Sequence, residues 1–258
     1  MKTFKIPSSG YRLRYHDLPG TETPIIFIHG LGCAGSFDYP NLAAQEPLIA
    51  HRRILIDLLG NGYSDKPEDF SYTIQEHANY LSELITHLNL KKFILFGHSI
   101  GGSVALSLAK LCEKQIEAVI LGEANLDAGG GFTSKSIAAY SYEDFVSHGF
   151  NTILESNRQN GNELWAASFS VCAPKAVYVT SKSAVEGQIP SWREIFYDLT
   201  CPKSFIIGEH SLPEENELYE LQQHGIKVEI LQDTSHSMTW ENPEGLAEAI
   251  KNTISIKH

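Results

Sequence analysis

Apolar residues recur along this chain in short runs separated by amphipathic stretches. Tyr11–Asp17, Pro24–Ile28, Arg53–Asp57, Lys92–Phe96, Glu117–Leu121, Lys203–Ile207 and Lys227–Leu231 all have strand-like composition, and most are continuously apolar rather than alternating. A strand that is apolar on both faces must be covered on both. These runs therefore predict an α/β architecture, a mostly parallel sheet with helices above and below it.

Helical periodicity fills the intervals. Ile74, Leu81, Leu84, Ile85 and Leu88 fall on one face of a predicted helix over Ile74–Leu88, and Thr73 with Glu76 forms a capping-box pattern at its start. His77 and His87 are expected on that helix's surface. A last helix is expected with Asn242 as N-cap, Pro243 at its first position, and Leu246, Ala249 and Ile250 buried.

The strand–helix rhythm breaks between residues 128 and 191. This stretch opens with Gly129-Gly130-Gly131 and continues through helical patterns near Tyr142–Asn157, Asn162–Val171 and Pro174–Gly187. It reads as a helical cap inserted into a core made of residues 1–127 and 192–258. With no strand-turn-helix context after it, the glycine triplet reads as a hinge rather than a phosphate loop.

Composition narrows the classes of function. The 258 residues, 42% hydrophobic and 20% charged, can bury one sizeable core. A formal charge of −11 without a basic cluster argues against nucleic acid as a partner. No apolar run approaches the roughly 20 residues that cross a bilayer, and Pro7-Ser8-Ser9-Gly10 stands where a signal peptide would be apolar, so a cytoplasmic location is expected. Cys33, Cys112, Cys172 and Cys201 are widely spaced and read as reduced thiols. With neither zinc-type spacing nor a dinucleotide fingerprint, no metal and no cofactor is expected.

One motif carries chemistry. Gly97-His98-Ser99-Ile100-Gly101, followed by Gly102, comes directly after the strand Phe93–Phe96 and opens a helix through Val104, Leu108 and Leu111. A strand turning abruptly into a helix strains the central residue and leaves no room for Cβ atoms two residues to either side. Ser99 is thereby exposed as a nucleophile. The new helix aims the N–H of Ile100 at any oxyanion that develops beside it.

A serine nucleophile needs a base at the same sheet edge. His236, between the strand Lys227–Leu231 and the final helix, fits best among eleven histidines. His98 adjoins Ser99, but neighbours on a tight elbow point apart, and His29 is expected to order its own turn.

At this point the chain resembles the α/β-hydrolase fold family over nearly its whole length. His29-Gly30-Leu31-Gly32 is similar to the family's oxyanion loop, which implies a second donor from the N–H of Leu31. Asp57-Leu58-Leu59-Gly60-Asn61-Gly62-Tyr63-Ser64 resembles a structural D-x-x-G-x-G-x-S segment, and His236 with Trp240-Glu241-Asn242-Pro243 resembles the C-terminal H…E-N-P stretch. The resemblance implies an eight-stranded sheet.

The third triad member departs from the commoner family pattern. Three residues after Gly208, where that pattern has an aspartate, this chain has Ser211, which cannot stabilise an imidazolium. Glu123, ending the preceding strand, reaches the same rim. In haloalkane dehalogenases that place their acid there, the interval from the nucleophile resembles the 24 residues (123 − 99) found here. Those enzymes attack with an aspartate, so this chain is not expected to be one. Glu209, Asp127 and Asp233 remain competing carboxylates.

The implied activity is hydrolysis of an ester or thioester of a small, mostly apolar substrate through an acyl-enzyme. Cap aromatics Phe145, Trp165 and Phe169, with Cys33 and Met238, are the expected pocket residues. Two other readings keep the same residues: a ligand-sensing protein with slow turnover, or a C–C hydrolase, lyase or cofactor-free oxygenase. The partner is expected to be a small molecule, and the protein a monomer or homodimer.

Overall fold

The computed structural model describes residues 1–213 and 215–256. Eight strands form one sheet: β1 (Lys2–Lys5), β2 (Arg12–Leu18), β3 (Glu22–Ile28), β4 (His51–Asp57), β5 (Phe93–His98), β6 (Ile116–Gly122), β7 (Lys203–Gly208) and β8 (Lys227–Leu231). Their spatial order is β1-β2-β4-β3-β5-β6-β7-β8. β1 and β2 are antiparallel additions at one edge, and from β4 to β8 every pairing is parallel. β1, absent from the sequence expectation, is a short edge strand in which Phe4 alone is buried.

The continuous apolar runs are explained by two cores, one on each face. In β3, Ile26 and Ile28 join a cluster with Leu81, Val104, Leu108 and Trp192, whereas Ile25 and Phe27 join Leu42, Phe96, Leu246 and Ile250 on the other side. The first face is covered by α3 (Ile74–His87), α4 (Ile100–Leu111) and α10 (Trp192–Asp198), the second by α1 (Gly35–Asp38), α2 (Pro40–Ala43) and α13 (Pro243–Ile254). Each such side chain contributes about 1.5–3 kcal/mol when fully buried. The two layers together hold the sheet rigid beneath its C-terminal edge.

Helix ends follow local chemistry. Thr73 accepts a hydrogen bond from the N–H of Glu76 at the start of α3, and Asn242 accepts one from Gly245 at the start of α13, with Pro243 first in the helix. His77 is a correction. It is fully buried rather than on the surface, because it lies three residues after Ile74 and four before Leu81, on the apolar stripe itself. The Tyr80 hydroxyl accepts from the N–H of Leu59 and donates to Nδ1 of His77 at 2.7 Å, and burial pushes the imidazole down to about 3. His87 is exposed.

Between β6 and β7 lie α5 (Phe132–Ala138), α6 (Tyr142–Asp144), α7 (Phe150–Gln159), α8 (Glu163–Phe169) and α9 (Pro174–Glu186). α5 starts directly after the glycine triplet, where the sequence had suggested only a hinge. This insert has its own apolar cluster, including Ile137, Phe145, Phe150, Leu154 and Phe169. α10 instead belongs to the main body, where Trp192 donates through its indole N–H to Ser107 of α4 at 3.1 Å. The remaining helices are α11 (Glu215–Gln223) and α12 (Met238–Glu241). Among the described residues no helix is long and apolar enough to cross a membrane, and all four cysteines are free.

Candidate active site

Ser99 stands between β5 and α4 with φ 54° and ψ −129°, a conformation that L residues adopt only under constraint. The constraint is visible in the glycines. A Cβ on Gly101 would come within 2.3 Å of the Ile28 carbonyl oxygen, and one on Gly102 within 2.2 Å of the Ala124 Cβ. The turn closes only because these positions are bare. The N–H of Ser99 is tied to the carbonyl of Gly122 at 2.8 Å.

The loop after β3 lies against this serine, since a Cβ on Gly30 would stand 3.2 Å from that of Ser99. Its orientation is fixed by His29. Nδ1–H of His29 donates to the Gly30 carbonyl at 2.8 Å, while Nε2 accepts from the N–H of Leu58 at 3.1 Å. The N–H of Cys33 also donates to the Gly30 carbonyl, at 3.3 Å. In a trans peptide the C=O and N–H point in opposite directions, so two donors on the Gly30 oxygen turn the N–H of Leu31 the other way. Among the described residues neither Leu31 nor Ile100 uses its N–H in a backbone hydrogen bond of a turn, loop or cap, and Ile100 is the first residue of α4.

His236, on the loop after β8, meets Glu123, just beyond β6. Oε2 of Glu123 lies 2.5 Å from Nδ1 of His236, and Oε1 accepts from the N–H of Gly208 at 2.9 Å. Glu123 also adopts a positive φ, 41°. Burial, the strongest influence, pushes its carboxyl upward, but the His236 contact and the Gly208 N–H outweigh it and hold the group below the ordinary glutamate value. None of the competing carboxylates, Asp127, Glu209 and Asp233, lines the cavity that Ser99 and His236 share; Asp127 pairs with Arg193, and Glu209 accepts from the N–H of Asp233.

His98 has a role that sequence reasoning missed. Its Nε2–H donates to the carbonyl of His236 at 2.9 Å, and the two rings lie 4.7 Å apart. Burial, reinforced by the charge of His236, pushes the His98 imidazole down to about 3, so it stays neutral and acts as a strut for the histidine loop. Adjacency to Ser99 was its only signal. In this conformation Ser99 and His236 line the same cavity without a direct hydrogen bond between their side chains.

That cavity has a volume of about 810 Å³, within the size range of small-molecule sites. Leu31, Cys33 and Trp165 line it. Phe145, Phe169 and Met238 do not. Phe145 and Phe169 are fully buried inside the insert, and Met238 lies beneath Gly122 in the core. Asp38, unanticipated, also lines the cavity; it accepts from the N–H of Ala34 at 2.8 Å and from the indole of Trp240 at 3.2 Å. Burial raises its carboxyl to about 6. The wall carries Asp38, Glu123, Glu163 and Glu241, and neither lysine nor arginine among the described residues.

Comparison with known proteins identifies the fold that carries these residues. A putative esterase/lipase of Haemophilus influenzae is 33% identical over 126 residues, covering 48% of this chain and 42% of that protein. Haloalkane dehalogenase 2 of Mycobacterium tuberculosis is 33% identical over 117 residues, covering 45% of this chain and 39% of the dehalogenase. The aligned part thus spans less than half the length of these curated relatives. A thermophilic esterase from Thermogutta terrifontis superposes with a TM-score of 0.81 at 23% identity, over 98% of this chain and 97% of the esterase. The model of the alpha/beta hydrolase fold matches residues 23–243, and the chain belongs to that family.

Proposed function

We propose that the protein is a serine hydrolase that cleaves a carboxylic ester or thioester through an acyl-enzyme, with residues 128–191 acting as a cap over the site. Nε2 of His236 accepts the Ser99 proton as Oγ attacks the carbonyl carbon, and the negative oxygen is held by the N–H groups of Leu31 and Ile100. The imidazolium, stabilised by Glu123, then protonates the departing alcohol or thiol. Water, deprotonated by His236, attacks the acyl-enzyme and releases the acid, restoring Ser99.

The observation that carries this reading is the convergence of a strained serine, two uncommitted N–H groups and a carboxylate-bound imidazole on one cavity. The Ser99–His236 contact closes in the substrate complex, as catalytic contacts that are open in a free enzyme tighten on binding. The wall's carboxylates favour a small substrate without negative charge. Phe145 and Phe169, packed in the insert's own cluster, do not add to the apolar part of the lining.

A fluorophosphonate probe tests the proposal. The wild-type protein should label rapidly and hydrolyse short aryl esters, and Ser99→Ala should do neither. A wild-type chain that resists the probe would refute it, whereas labelling without ester turnover would favour the sensing role or the alternative chemistries.

A further inference from the structure

The N–H of Leu31 lies in the Gly30–Leu31 peptide plane, and this plane and the one that follows it at the Leu31 Cα are held from different parts of the molecule. The Gly30–Leu31 plane is fixed within the main body by His29 and by the N–H of Cys33. The Leu31–Gly32 plane is held by the insert, since Nε1–H of Trp165 in α8 donates to the Leu31 carbonyl at 3.0 Å. The same helix packs tightly on the next residue. Gly32 has φ +70°, and a Cβ there would stand 2.5 Å from the ring of Phe169 and 3.0 Å from that of Trp165. The two rings themselves lie 4.6 Å apart.

From this geometry we infer that Trp165 is a positioning residue for the oxyanion loop: its indole N–H clamps the Leu31 carbonyl and so holds the Leu31 N–H in register with Ser99. The inference rests on the hydrolase reading above. With the planes on both sides of the Leu31 Cα held, one by the Gly30 carbonyl contacts and the other by Trp165, the loop cannot swing about that Cα, and the N–H is prepared before charge develops on the substrate. Preorganised donors of this kind act on the transition state rather than on the bound ester. Seating of the insert is thereby coupled to chemistry at Ser99. Trp165 does this through a backbone carbonyl, without needing to touch substrate.

The test is Trp165→Phe, which keeps an aromatic ring against Gly32 and Phe169 but removes the donor. Complete loss of an oxyanion donor lowers kcat by about 10²–10³, and loosening one should lower it by about 5- to 50-fold. KM for a short aryl ester should stay within about twofold, and inhibition by an aryl boronic acid, which mimics the tetrahedral state, should weaken in step with kcat/KM. Site-specific benzothienylalanine at position 165 replaces the N–H by sulfur at nearly constant shape, and should reproduce the loss with an unchanged melting temperature. Unaltered kcat in either folded variant would overturn the inference, as would a rise in KM that accounts for the whole effect. The hydrolase reading is judged separately by probe labelling of the wild-type protein; if that fails, both fall.

Discussion

Replacing Glu123 by Gln removes one charge while keeping the shape of the side chain. In the proposed mechanism, the imidazolium formed during proton transfer sits against a carboxylate that is only 9% exposed, at 2.5 Å between Oε2 and Nδ1. With about 4 Å between charge centres and an effective dielectric of about 20, the attraction is about 4 kcal/mol. His236 is half exposed, and screening by water reduces this to about 2–3 kcal/mol, a factor of about 30–150 in rate. The amide can also turn its NH₂ toward Nδ1 and favour the wrong tautomer, which takes the expected loss to two or three orders of magnitude in kcat. Steady-state hydrolysis of an aryl ester, with circular dichroism to confirm folding, measures it. Asp127→Asn should change kcat less than about threefold, because that carboxylate is paired with Arg193. An unchanged rate in Glu123→Gln would refute the assignment of the acid.

Further outcomes follow from the buried groups and the cavity wall. His77 and His98 are each held near 3 against a free value near 6.5, so the unfolded chain binds their protons first as the pH falls. Stability should therefore drop from pH 6.5 downward and level off below about 3, by about 2 kcal/mol per histidine at pH 5; denaturant melts of His77→Gln showing the same slope as wild type would contradict this. An ester ending in a carboxylate should be a poorer substrate than its uncharged isostere. At about 8 Å from the wall carboxylates the repulsion is about 2 kcal/mol before salt screening, or about tenfold in kcat/KM after it. Equal rates for methyl hexanoate and monomethyl adipate would dismiss charge selection.

What could be read from the chain beforehand was set by how local each signal is. The runs Ile25–Ile28 and Phe93–Phe96 announce themselves because both their faces are buried, and the elbow because its glycines and serine are consecutive. β1 went unseen because a four-residue edge strand with one buried residue has no periodicity. Phe145 and Phe169 show the limit of composition. Aromatic residues at helical spacing look alike whether they face a cavity or the insert's own core, and tertiary packing decides between them. His77 was legible in principle, since its spacing from Ile74 and Leu81 puts it on the stripe. Asp38, the strut made by His98 and the bond from the Trp165 indole to Leu31 were not, because their partners lie on other elements, far along the chain or across an insert.

The helices between β6 and β7 enclose an apolar nucleus that shares few residues with the sheet's two cores. Drift in their sequence can therefore alter the cavity wall while the ends of β5, β6 and β8 keep Ser99, Glu123 and His236 in place. Part of the cavity wall can thus vary independently of the strands beneath it, and the seam where an indole meets a backbone oxygen of the opposite part is where such exchange must be conservative.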